Sequence, residues 1–285
     1  MNTFKSIQQQ LGISNHLSKL IFINAAVFLF IKLGQTIIFL FNTYSWIDWF
    51  ILYTALPSDF NSLLSRPWTF ISYMFVHEGI WHFVFNMLVL YWTGKIFNEY
   101  LGSTKLVTTY INGALLGGLL YVITYNVFPA FTEQKEYSTL IGASAGILAI
   151  LVAIATLIPD YKVFLLLFGA VAIKYIALVA VLIYLILIPS GNAGGNIAHI
   201  GGALYGFLFV KQMRSGRNLG AWLEFIFDRL SRTGKKSKLK VVKSNASDYN
   251  TQTRIDKILE KISQSGYDSL SEEEKELLFR MSNRK

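Results

Sequence analysis

The chain has 285 residues, of which 53% are hydrophobic and only 15% are charged. Soluble globular domains carry about 25% charged residues, so this composition excludes an ordinary soluble enzyme, and the apolar content excludes a disordered chain. The absence of cysteine excludes disulfides, a thiolate nucleophile, and zinc–thiolate or iron–sulfur sites. The net charge of +9 is unevenly placed, because 17 of the 26 basic residues lie after residue 210.

Six apolar segments follow one another along the chain, each near the ~20 residues that a helix needs to cross a bilayer core. They lie at residues 18–38, 71–93, 105–127, 140–158, 170–189 and 196–213. The sequence therefore predicts an all-α, polytopic membrane protein with six transmembrane helices.

The remaining segments are polar, and they complete the predicted domain organisation. It consists of an N-terminal cytoplasmic segment at 1–17, a six-helix membrane domain at 18–213, a basic segment at 214–243 and a small helical cytoplasmic tail at 244–285. The basic segment fits two interpretations, an amphipathic helix against anionic lipid headgroups or a solvated stretch that fixes topology. In the tail, Ser271 and Glu274 have capping-box spacing, which predicts two short helices joined at Gly266.

The orientation of the spans follows from the lysine and arginine bias of the short loops. Basic residues precede the first span, follow the second and fourth, and dominate after the sixth, and an even number of spans puts all of these on one side. We therefore predict that both termini are cytoplasmic, and we assign the protein to a bacterial cytoplasmic (inner) membrane.

Polar residues inside the spans are the candidates for function, since such residues are costly in a membrane. They are His77, Glu78, His82 and Asn86 in the second span, Ser144 in the fourth and His199 in the sixth. All three spans run from outside to inside in the predicted topology. Ser144 and His199 lie about four residues below the outer edge, or about 6 Å, whereas His82 lies roughly a third to halfway down its span. We expect Ser144, His199, His82 and Asn86 to share one outer pocket.

Small residues surround both the serine and the histidine of this set, in the segments GASAG and AHIGG. Such segments let membrane helices pack closely, and packing alone is a sufficient explanation for them. The second explanation is catalytic: a serine hydroxyl needs a neighbouring base, so Ser144 is the candidate nucleophile and His199 the candidate base. The Ser144 backbone N–H, His82 and Asn86 are candidate oxyanion donors. The absence of an intramembrane aspartate predicts a dyad.

The segment from His77 to His82 resembles the zinc motif HExxH but contains one residue too many. A spacing of five residues turns the two histidines about 140° apart on a helix, so we predict neither a metal site nor a cofactor. We interpret His77 as a residue that orders the outer loop at the start of the helix.

The complete set of motifs resembles the rhomboid family of intramembrane serine proteases over residues 18–213. The resemblance rests on the segments RPWTFISYMFVHEGIWHFVFNML, GAS and AHIGG in this order. It implies a rhomboid-like bundle with Ser144 as nucleophile, His199 as general base, and His82 and Asn86 as oxyanion-stabilising residues. It also implies that the substrates are transmembrane helices of other proteins, hydrolysed in or near the membrane.

The sequence leaves two alternatives to intramembrane proteolysis. A catalytically inactive rhomboid-like chaperone or scaffold that binds membrane helices is disfavoured by the intact Ser144 and His199. A small-solute transporter is disfavoured because no charged residues pair across the bundle centre and no internal repeat is evident. The expected partners are transmembrane-helix substrates, the lipid bilayer and a cytoplasmic partner of the tail, and we expect no binding to nucleic acid.

Overall fold

The computed structural model describes residues 16–41, 46–166, 168–233 and 246–282. Most of the predicted N-terminal segment, residues 234–243 of the basic segment and residues 244–245 of the tail lie outside the described residues. The chain divides into two compact units, Met1–Ser231 and Arg232–Lys285.

Six helices of the first unit correspond to the six predicted spans. They are α1 (His16–Phe41), α5 (Ile80–Leu101), α6 (Ser103–Val127), α7 (Ser144–Leu157), α8 (Ile173–Ile186) and α9 (Ala193–Arg214). Within the described residues, α1, α6 and α9 are long and apolar enough to cross a membrane, and α7 and α8 are shorter apolar helices. The predicted class of a polytopic, helical membrane protein is confirmed.

Shorter helices complete the first unit. They are α2 (Trp46–Thr54), α3 (Phe60–Ser65) and α4 (Thr69–Ser72) between α1 and α5, and α10 (Ala221–Thr233), which extends just past the unit's end. The indole of Trp222 on α10 donates a hydrogen bond to Asn112 Oδ1 on α6 at 3.2 Å. This contact holds the start of α10 against the helical bundle.

Two small antiparallel strand pairs depart from the all-helical expectation. Strand β1 (Leu56–Pro57) pairs with β2 (Thr139–Leu140), and β3 (Lys162–Leu165) pairs with β4 (Gly169–Ala172). The β3–β4 hairpin contains the apolar stretch at residues 163–169, which is too short to cross a membrane. The β1–β2 pair matters for the site, because β2 lies just before Ser144.

The second predicted span, 71–93, was placed too early in the chain. The structure begins α5 at Ile80 and ends it at Leu101. Extended backbone at Val76 (φ −90°, ψ 132°) and at Gly79 (φ −105°, ψ 151°) interrupts the helix, since both residues lie outside the helical region. Hydrophobicity alone does not detect this break.

Helix α7 is the centre of the bundle, and ten of its fourteen residues are buried. It packs against α6 and α9 at glycines, where a side chain would collide with backbone. A Cβ at Gly202 or at Gly206 of α9 would overlap the carbonyl oxygen of Ala145 or of Ala149, respectively. The α6–α9 contact is equally close, because a Cβ at Gly201 would lie 2.7 Å from the Cα of Gly117. These glycines permit backbone-to-backbone packing of the three helices.

The second unit is a helical hairpin of α11 (Ala246–Ser265) and α12 (Glu272–Ser282). The predicted capping box is present, since Ser271 N donates to Glu274 Oε2 at 2.8 Å and Glu274 N donates to Ser271 Oγ at 3.3 Å. Lys261 of α11 also pairs with Glu274 at 2.9 Å. The tail therefore folds as two helices that meet near Gly266, where φ is +78°.

Candidate active site

Ser144 is the first residue of α7 and follows a constrained turn. Gly142 has φ +120°, a conformation that residues with a side chain rarely adopt, and its N–H donates to the Tyr73 carbonyl at 3.0 Å. The pairing of Leu140 with Leu56 fixes the preceding residues. The serine is therefore presented at a helix N-terminus, where backbone N–H groups lack helical partners.

His199 lies on α9 directly beside this serine. Its Nε2 is 2.5 Å from Ser144 Oγ, and the histidine is only 9% exposed. In the tautomer with an unprotonated Nε2, the serine hydroxyl donates to the ring. The distance suits proton transfer from a nucleophile to a general base.

The ring of Tyr184 on α8 packs against the ring of His199, with centroids 3.9 Å apart and planes 47° apart. The other ring nitrogen, Nδ1, is buried and makes no hydrogen bond within the described part of the chain. Ring packing therefore orients the histidine in this structure. Sequence reasoning missed Tyr184, because a tyrosine within an apolar span carries no spacing signal.

His82 and Asn86 also lie at the site, and the predicted depth of His82 was wrong. His82 is the third residue of α5, so it lies at the N-terminal end of that helix. Ser144 likewise lies at the N-terminal end of α7. A Cβ at Gly142 would lie 3.1 Å from His82 Cε1 and 3.7 Å from Ser144 Oγ, so His82 borders the serine. Asn86 Nδ2 donates to the His82 carbonyl at 2.9 Å, and its second N–H is available to another acceptor.

All four predicted site residues line one cavity of about 470 Å³. Tyr184 and Asn192 line it as well, and apolar side chains such as Phe85, Leu148 and Ile176 form much of its wall. Asn192 also caps α9, because its side-chain oxygen accepts from Gly195 N at 3.2 Å. The cavity combines a serine hydroxyl, two imidazole rings and side-chain amides with an apolar wall that suits apolar side chains.

His77 is outside this cavity. It is fully buried, and its ring packs edge-on against the ring of His82 with centroids 5.3 Å apart. Among the described residues, no group of three or more His, Cys, Asp or Glu side chains is arranged to hold a metal ion.

Comparisons with known proteins agree with the sequence motifs. The model of the Rhomboid domain family matches residues 64–215. Similar proteins include RHOMBOID-like protein 12, mitochondrial, of Arabidopsis thaliana, which is 28% identical over 55% of this chain and 49% of that protein. Presenilin-associated rhomboid-like protein A, mitochondrial, of Danio rerio is 28% identical over 48% of this chain and 35% of that protein. The aligned part thus spans about half the length of these relatives or less.

A second family model matches the tail. It describes a family of unknown function, DUF6576, and covers residues 243–284. The match includes both helices of the hairpin.

Proposed function

The chain belongs to the rhomboid family, and from this premise we propose that it is a serine endopeptidase that cleaves transmembrane helices of other proteins by a Ser144–His199 dyad. The observation that carries the proposal is the 2.5 Å contact between Ser144 Oγ and His199 Nε2 in a cavity with further polar groups. Membership of the family by itself leaves activity open, because it includes serine proteases without requiring that every member be one.

The proposed reaction proceeds through an acyl-enzyme. His199 accepts the hydroxyl proton while Ser144 Oγ attacks the carbonyl carbon, and the carbonyl oxygen becomes an oxyanion. The Ser144 N–H and the side chains of His82 and Asn86 donate hydrogen bonds to that oxyanion. His199 then delivers its proton to the leaving amine as the peptide bond breaks. Water, activated by the same histidine, hydrolyses the ester and regenerates the serine.

The proposed substrates are transmembrane helices that unwind near the catalytic cavity. A peptide bond within a helix is shielded by its own backbone hydrogen bonds, and unwinding in hydrocarbon leaves polar groups unsatisfied. Segments with glycine or proline lose less on unwinding, so they should be cleaved fastest. The enzyme would meet these substrates, and the surrounding bilayer, as its principal partners.

The decisive experiment compares purified wild type with Ser144→Ala and His199→Ala in liposomes that contain a single-span substrate. Either substitution should reduce cleavage by several orders of magnitude while thermal stability is retained, since removal of a nucleophile or its base disables the unit. Ser65→Ala and His16→Ala are matched controls, because both residues are exposed and neither lines the cavity. Substantial turnover by either dyad variant contradicts the proposal.

The same assay separates proteolysis from the inactive alternative. A chaperone or scaffold would bind the substrate helix equally well with or without Ser144, and its wild type would release no product. An enzyme would also label at Ser144 with a serine-directed phosphonate probe.

The finer localisation also remains a proposal. We propose that the protein lies in a bacterial cytoplasmic membrane with both termini on the cytoplasmic side, and the loop charges support this orientation. The names of the two relatives place those proteins in mitochondria. The basic segment and the tail would then lie on the cytoplasmic side, where the tail could meet a protein partner. Within the basic segment, α10 exposes Trp222 and Phe225, which favours contact with the lipid surface over a fully solvated stretch.

A further inference from the structure

A second cavity lies next to the catalytic one and has a different character. It has a volume of about 380 Å³, and its lining includes Asp48, His77 and Glu78 together with Gln35. We name it the outer acidic pocket. Its remaining lining is mainly apolar and includes Ile51 and Ile141. Among the described residues that line it, two are acidic and none is a lysine or an arginine.

The lining of this pocket includes a buried histidine whose ring nitrogens have no hydrogen-bond partner within the described residues. His77 is 0% exposed, and neither of its ring nitrogens makes a hydrogen bond within the described residues. Leaving a buried polar side chain without a partner costs free energy, and such groups are normally satisfied. A ligand that enters the pocket and donates a hydrogen bond would satisfy the ring.

The outer acidic pocket and the catalytic cavity are neighbours. The ring of His77 lies 5.3 Å from that of His82, which lines the catalytic cavity. Ile141 lines the pocket and precedes Ser144 by only three residues. An extended peptide advances about 3.3 Å per residue, so a substrate residue roughly two to four positions from the scissile bond can reach the pocket.

The chemistry of the lining selects the kind of side chain that fits. Lysine and arginine have an apolar stem and a cationic head, which match the apolar wall and the two carboxylates. A guanidinium can pair with a carboxylate through two parallel hydrogen bonds and present further N–H groups to a neutral imidazole. Acidic side chains would meet like charge.

We propose that the outer acidic pocket is a specificity subsite that takes an arginine or lysine of the substrate, a few residues from the cleaved bond. The inference rests on the proposed function, because a specificity subsite presupposes a protease. The binding preference itself can be measured without cleavage. Glu78 and Asp48 supply the charge, and His77 accepts a hydrogen bond from the bound side chain.

The test uses single-span peptides that differ only in one residue on the outer side of the membrane helix. Arginine, alanine or glutamate is placed at each of several successive positions. Binding is measured by fluorescence anisotropy to the Ser144→Ala protein in nanodiscs of neutral phosphatidylcholine, and cleavage is measured with the wild type. At one position, the arginine peptide should bind roughly tenfold more tightly than the glutamate peptide, as expected for a charge-assisted hydrogen bond.

Substitutions in the pocket then test whether its two acidic residues cause the preference for the arginine peptide. Glu78→Gln combined with Asp48→Asn should reduce the difference between the two peptides to about twofold or less. Glu78→Lys should reverse it, so that the glutamate peptide is preferred, a gain that misfolding cannot produce. Glu133→Gln is the matched control, because Glu133 is an exposed acid that does not line the pocket.

Equal binding of the arginine and glutamate peptides at every position overturns the inference. A preference for arginine that persists in the protein with Glu78→Gln and Asp48→Asn also overturns it, as does one that Glu78→Lys does not reverse. The proposed function fails separately: a preserved binding preference without any cleavage by the wild type would retain the subsite and reject the protease.

Discussion

The close packing of α9 against α7 should control the distance between the two dyad residues, and Gly202→Ala tests this directly. An added Cβ would overlap the Ala145 carbonyl oxygen and lie 2.8 Å from its carbonyl carbon. Carbon atoms in contact are ordinarily 3.5–4.0 Å apart, so the two backbones must separate by about 1 Å. His199 lies three residues before Gly202, and Ser144 directly precedes Ala145. Separation of the two backbones therefore increases the distance between Ser144 and His199.

Two effects of this substitution oppose each other in the free energy of unfolding. Alanine is better than glycine in a helix by about 1 kcal/mol, whereas overpacking a tight contact costs about 1–3 kcal/mol. Overpacking should dominate, because the obstructing atoms belong to the backbone and cannot rotate away. We expect a lower melting temperature and a loss of about 100-fold in kcat, since a misplacement of about 1 Å has such an effect.

The assay measures thermal stability and substrate cleavage for three variants of α9. Gly206→Ala makes a similar overlap, with Ala149, but lies one turn further from His199, so it should lose stability with a smaller loss of kcat. Leu204→Ala is the control, because that side chain is 43% exposed on the outside of the bundle. A Gly202→Ala protein with wild-type stability and wild-type cleavage would refute the reasoning.

Two further predictions concern the proposed oxyanion donors and the topology. Asn86→Ala and His82→Ala should each lower kcat by about 10²–10³ with little change in KM, while Ser144 still reacts with a phosphonate probe. An effect on KM alone would mark the two residues as structural polar groups. Reporter fusions should place residue 60 outside and residues 160 and 250 inside, and an external tail would contradict the predicted orientation.

The sequence predicted the helical class, and it predicted that Ser144, His199, His82 and Asn86 share one pocket, because both depend on strong local signals. Apolar segments of the length of a bilayer identify spans, and a polar residue within a span is conspicuous. The juxtaposition of Ser144 and His199 followed from the topology and from their matching depth. The depth of His82 did not follow, because its helix begins at Ile80 after a break that hydrophobicity cannot locate.

The features that the sequence did not predict depend on contacts between distant segments. The β1–β2 pair joins residues more than 80 apart and is only two residues long, so it has no periodicity to detect. Tyr184 is a similar case: its contact with His199 arises from the packing of α8 beside α9. Such contacts are set by tertiary structure, and a single sequence contains no local signal for them.

The segments GASAG and AHIGG have two interpretations from sequence, close helix packing and catalysis. In the structure the two are connected, because the close packing brings Ser144 and His199 together. Gly202 allows α9 to reach the backbone of α7 at Ala145, which is the residue that follows Ser144. Only with that approach does His199 Nε2 come to 2.5 Å from the serine hydroxyl. A side chain at residue 202 would hold the helices about 1 Å further apart, beyond the range of a strong hydrogen bond. In this bundle, the small residues are therefore the reason that a serine and a histidine on different helices lie within hydrogen-bonding distance of each other.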